Sequence, residues 1–100
     1  MNKLTVVNKH FFEGDSMYIG RGSPLGNPFK LSPDSRATVI AKYRVYLEAA
    51  IDKEQPDIMA ELSRIKSKLL MGDVNLACFC APSACHGDII KEVVENDGRL

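Results

Sequence analysis

Residues 74–90 read VNLACFCAPSACHGDII, and the fold turns on how this stretch is divided. VNLACF lies between Gly72-Asp73 and Ala81-Pro82, too short for a useful helix and apolar enough for a buried central strand. Ser83 is placed to cap a helix by accepting from an early backbone amide, and Ile89, Ile90, Val93 and Val94 supply that helix's buried side. Cys85 and His86 then fall in its first turn. Working back, Ile58, Leu62, Ile65 and Leu69 line one face of a helix entered at Gln55-Pro56-Asp57 and closed before Gly72. Before it, Ser32-Pro33 signals a start, and Val39, Ile40, Tyr43, Tyr46, Leu47, Ala50 and Ile51 recur at helical spacing, predicting a helix over 33–53. LTVVN predicts a first strand over 4–8, expected inside the sheet, and MYIG a second. The order strand, strand, helix, helix, strand, helix predicts an α/β fold: a small single-domain sandwich with a short mixed or parallel sheet covered by three main helices.

One hundred residues allow one domain, 1–100. Thirteen basic and thirteen acidic residues leave no net charge, so no global field draws the chain to nucleic acid or an anionic membrane. The halves differ: residues 1–50 carry seven basic against four acidic side chains, and residues 51–100 carry six against nine. No apolar run reaches membrane-spanning length and the start lacks a signal peptide, so a cytoplasmic protein without a membrane partner is expected. Three cysteines within eight residues cannot complete a set of intrachain disulfides, and their crowding reads as chemistry or metal rather than a secreted framework.

Cys78, Cys80, Cys85 and His86 put four soft ligands or nucleophiles into nine residues. Alternation sends Cys78 and Cys80 to one face, and the turn brings the helix start back to the strand's carboxyl end, where ligands of layered α/β folds bind and free helix amides favour an anion. Cys85 is the expected reactive thiol, because a helix start and a nearby imidazolium lower a thiol's pKa. His86 is its candidate proton-transfer partner or a contact to the bound phosphate, although adjacent helical residues project about 100° apart; the alternatives are packing or a capping role for Cys85 and a surface or backbone-bonded histidine for His86. Cys78 reads as a buried strand residue, and Cys80 is divided between packing and ligand contact. Zinc is the rival chemistry for this cluster, but the spacing departs from paired Cys-x(2–4)-Cys and Cys78 lies deep in the strand. No metal site and no cofactor is therefore assigned.

YIGRGSPLGNPF, residues 18–29, is the second unusual stretch. Its glycines permit close backbone approach, Arg21 suits a bidentate contact with phosphate or carboxylate, and Ser23 and Asn27 add polar handles. The spacing matches neither the dinucleotide fingerprint nor the P-loop. Tyr18 is placed either to line a pocket or to fill the core. Arg44 and His10 are further candidates for the same crevice, against ordinary surface roles. Asp88 favours the helix start electrostatically.

Together, VVN near the start, YIGRGSPLGNPF, VIAKYRVYL and LACFCAPSACHGDII resemble the bacterial and phage family called domain of unknown function 4326, over nearly the whole chain. The resemblance rests on Asn8, Ile19-Gly20-Arg21, Gly26-Asn27-Pro28, Tyr43-Arg44, Cys78, Cys80 and Cys85-His86-Gly87. The last strand and helix are also similar to those of family 488 of the same naming series, whose members end in Cys-His-Arg; Gly87 stands where that arginine would, so no role of it transfers. The resemblance implies that the glycine-rich loop and the cysteine turn form one site, and it names no reaction.

The expected function is binding of a phosphate-bearing small molecule such as a nucleotide. Arg21, Ser23, Asn27, Tyr18, Arg44 and Cys80 are its candidate contacts, and thiol-based group transfer or hydrolysis at Cys85 its candidate chemistry. Two other classes compete. A nucleic-acid-binding or phage accessory module would use Lys3, Lys9, Arg21, Lys30, Arg36 and Arg44, and a structural zinc module would use the cysteines. The outer faces of the paired helices offer surface for a dimer.

Overall fold

A computed structural model describes residues 2–29, 35–79, 85–98 and 100. Lys30, Ser32, Pro33, Cys80 and Ser83, each given a role by the sequence, lie outside them. The elements follow in the order β1 (Leu4–Asn8), β2 (Met17–Tyr18), α1 (Arg36–Asp52), α2 (Pro56–Met71), β3 (Val74–Cys78) and α3 (His86–Asn96). The chain is a small single-domain α/β fold.

All pairing in the sheet is parallel, in the order β1-β3-β2. The central place of β3 agrees with its apolar sequence, since Val74, Leu76, Ala77 and Cys78 are all buried. The first strand, expected inside the sheet, is an edge instead. It bonds to β3 alone, and its flanks Asn2, Lys3 and Lys9 and its own Thr5 are exposed, as an edge tolerates. β-branching in LTVVN marks a strand without saying how many neighbours it has.

Register assigns the two faces. Leu4 pairs with Val74 and Val6 with Leu76, and Met17 pairs with Leu76, so these side chains share one face with Cys78. That face meets the helices. Tyr43, Leu47 and Ile51 of α1, Ile58, Leu62 and Ile65 of α2, and Ile90 and Val94 of α3 complete the core, all at 2 % exposure or less. Thr5, Val7, Asn75, Ala77 and Tyr18 occupy the opposite face.

Helix ends follow local chemistry. Ser35 caps α1, its Oγ accepting from the amide of Thr38 at 3.3 Å, so the described helix begins three residues after the start expected at 33. The chain reverses through Glu54 at a φ of 52° and enters α2 at Pro56, a position where the missing amide hydrogen costs nothing. At α3 the cap is Cys85 itself, with His86 as the first helical residue.

Candidate functional site

Parallel strands end together, so the carboxyl ends of β2 and β3 share an edge with the starts of α1 and α3. A cleft of about 400 Å³ opens there. Its floor is Cys78 at the end of β3 with Cys85 and His86 at the start of α3. Phe79 and Tyr18 form one wall, and Val39 and Ile40 of α1 the other. Gly20, Arg21, Asn27 and Phe29 from the glycine-rich loop, with Arg36 from the first turn of α1, complete it.

The loop owes its shape to short-range constraints. The amide and hydroxyl of Ser23 both donate to the carbonyl of Gly20, at 3.1 and 2.7 Å, and the amide of Gly26 donates to Ser23 O at 3.0 Å. A Cβ at Gly26 would lie 2.7 Å from Gly20 O, so this close backbone crossing requires glycine. Gly22 adopts a φ of 93°, and Asn27 accepts from the amide of Phe29 at 2.9 Å. Two side chains from the helices then pin the loop. The buried hydroxyl of Tyr43 donates to Leu25 O at 2.7 Å, and His86 Nε2 bonds to Ile19 O at 2.6 Å, with the two rings edge-on at 5.0 Å.

The His86 bond settles its tautomer. A carbonyl oxygen only accepts, so Nε2 carries the hydrogen and Nδ1 is the unprotonated nitrogen of the neutral ring. Burial holds the His86 pKa below its ordinary value, against the opposing pull of Ile19 O and Asp88. His86 is therefore a neutral clamp on the loop.

Cys85 departs from the expected low-pKa thiol. Burial, together with a sulfur–sulfur hydrogen bond to Cys78 at 3.2 Å, pushes it up to about 12, outweighing the Gly87 amide that donates to its Sγ at 3.3 Å. The Cys85 amide in turn donates to Asp88 Oδ2 at 3.0 Å, closing a capping box with sulfur in the place usually held by a hydroxyl. A helix start does favour thiolate, but a cysteine at 3 % exposure beside a second thiol and a carboxylate loses more than that start returns. Cys78 and Cys85 are free thiols, and among the described residues no group of three or more His, Cys, Asp or Glu is placed to hold a metal ion.

Of the other sequence candidates, Arg21, Asn27 and Tyr18 line the cleft, while Ser23 is spent within the loop. Arg44 does not line it. Its guanidinium makes a two-pronged pair with Glu92 of α3, at 3.3 and 2.7 Å, and this pair holds the Glu92 carboxyl below its ordinary range. The His10 ring lies tilted against Phe79, 4.8 Å between centroids, outside the cleft lining, and Cys80 lies outside the described residues. Phe29, Arg36 and Phe79 were not singled out as pocket residues by the sequence. Alternation along β3 was the available signal for Phe79, and a helix start at Ser35 rather than Ser32 would have put Arg36 in the first turn.

A family model described as Domain of unknown function (DUF4326) matches residues 6–96. The chain belongs to that family. The DUF4326 match takes in both the glycine-rich loop and the cysteine turn, which meet at this cleft. Neither a curated protein nor a solved structure matches the chain. Among the described residues no helix is long and apolar enough to cross a membrane.

Proposed function

We propose that the protein binds a phosphate-bearing small molecule, a nucleotide, in the cleft at the carboxyl ends of β2 and β3. One observation carries this reading: the described lining has two arginines, Arg21 and Arg36, and no aspartate or glutamate, beside the aromatic rings of Tyr18, Phe29 and Phe79. A guanidinium pair answers a phosphate, and ring faces answer a flat base. The volume lies within the range of small-molecule sites. Helix α1 starts at the cleft with no acidic residue in its first turn, so its positive end favours a bound anion there.

In this reading Arg21 and Arg36 hold the phosphate and Asn27 orients it. Tyr43 and His86 are positioning residues that keep the loop in place. Cys85 acts as the cap of α3, its Sγ held by Cys78 and by the Gly87 amide. A reducing, cytoplasmic setting accords with two free thiols in contact.

Isothermal titration calorimetry with nucleoside 5′-mono-, di- and triphosphates tests the reading, with inorganic phosphate and the unphosphorylated nucleoside as controls. Saturable one-to-one binding of a nucleotide, tighter than either control, is expected. No binding of any of them, or equal binding of nucleoside and nucleotide, would overturn it.

A further inference from the structure

The aromatic wall of the cleft continues beyond its lip. Tyr18 and Phe79 line the cleft and stand 6.0 Å apart between ring centroids; His10 follows 4.8 Å from Phe79, and Phe11 follows 6.4 Å from His10. The row leads outward, since His10 and Phe11 are not part of the cleft lining. It also grows more exposed along the way, with Phe79 at 48 % and Phe11 at 83 %. A single exposed ring needs no explanation, but a connected run leaving a binding cleft does.

Cations accompany the rings. Lys9 Nζ sits 5.4 Å from the centroid of Tyr18, on the sheet face that also carries Ala77 and Phe79, and Arg21 and Arg36 lie at the cleft end of the row. Asp15 and Asp73 border a shallow depression at the amino ends of β2 and β3. The described cleft lining and the row of rings that leaves it are thus aromatic and cationic, with no aspartate or glutamate among them. A second copy docked symmetrically on this row would bring these cations against themselves.

We propose that the cleft takes one nucleotide of a single-stranded nucleic acid and that the row from Phe79 through His10 to Phe11 stacks the bases that follow it. Exposed rings with cations beside them are the chemistry of sequence-tolerant strand binding, in which each base finds a ring and the backbone finds positive charge. The proposal rests on the reading of the cleft as a phosphate site and extends it from a free nucleotide to a strand.

The test compares one nucleotide with a strand of the same nucleotide. Fluorescence anisotropy with labelled ten-nucleotide oligo(dT) and oligo(U), beside calorimetry with the matching mononucleotides, should give strand binding at least about tenfold tighter, weakening as salt rises. The tighter of the two strands tells DNA from RNA. Phe11→Ala, outside the cleft, should lower strand affinity about fivefold or more while mononucleotide binding and Tm stay unchanged. Mononucleotide binding with no gain for the strand would overturn this inference and leave the cleft reading standing; loss of both would overturn both. A dimer that Phe11→Ala dissociates would make the row a self-contact and would also overturn it.

Discussion

The floor of the cleft and its rim are built on opposite principles. On the floor, Cys78, Cys85 and His86 are buried and bonded to neighbours, and burial favours the neutral forms of Cys85 and His86. At the rim, Arg21 makes no ion pair among the described residues, and Phe79 is half exposed. Residues of the reactive kinds are thus bonded within the fold, while Arg21 and Phe79 line the open cleft. A cysteine or histidine next to a cleft gains meaning from where its proton goes. Here both keep to forms that stabilise the fold.

That contrast is easiest to break at Tyr43. Tyr43→Ala removes a fully buried ring and the hydroxyl that holds Leu25 O, and should cost about 3–5 kcal/mol in urea unfolding. Tyr43→Phe keeps the ring but leaves a buried carbonyl without its donor, an expected loss of about 1–3 kcal/mol. A cost below these ranges would mean the loop is not anchored as described. The rim should behave in the other way. Arg21→Ala is expected to lower nucleotide affinity about tenfold or more, as for a charged hydrogen bond, with Tm unchanged.

Acid and alkali sharpen the same comparison. The unfolded chain takes up a His86 proton near the ordinary pKa of about 6.5, whereas the folded ring resists it, so stability is full above that pH and declines as pH falls below it. This decline begins above the carboxylate range in which Glu92 loses its pairing with Arg44. At the other end, Cys85 keeps its proton when folded up to about 12, while an unfolded thiol releases it near 9.0, so stability falls as pH rises past that value. Denaturation midpoints followed from acid to alkali should trace both limbs, and Cys85→Ser should flatten the onset of the alkaline one. The smallest effect is expected from Cys85→Ser at neutral pH: serine also caps helices, so nucleotide affinity should stay within about twofold. A large loss of binding in that variant would return the thiol to the ligand.

Much of the fold was legible because its signals are local. β1 was placed over its full length, and VNLACF was read as the central strand because both of its faces are apolar. The position of β1 at the edge was not legible, since pairing partners come from tertiary order and LTVVN carries no mark of them. The start of α1 was ambiguous because LSPDS offers two serine caps three residues apart, and that ambiguity hid Arg36. Around the cleft, the sequence points to the meeting of glycine-rich loop and cysteine turn and to Arg21 and Asn27 beside it, while it leaves Tyr18 open between pocket and core. The helix start at Cys85 is visible in sequence, whereas its burial against Cys78, which raises its pKa, is not. Arg44 found Glu92, 48 residues away, a partner that no spacing rule could supply.

The most direct test of the cleft's role is a titration of the isotopically labelled protein with a nucleoside triphosphate, followed by amide nuclear magnetic resonance shifts. Shifts should concentrate at Gly20 to Phe29, at Arg36 and its neighbours in the first turn of α1, and at Cys85 to Gly87. Shifts confined to the opposite end of the sheet around Asp73, or none at saturating nucleotide, would contradict the assignment of this cleft as a phosphate site.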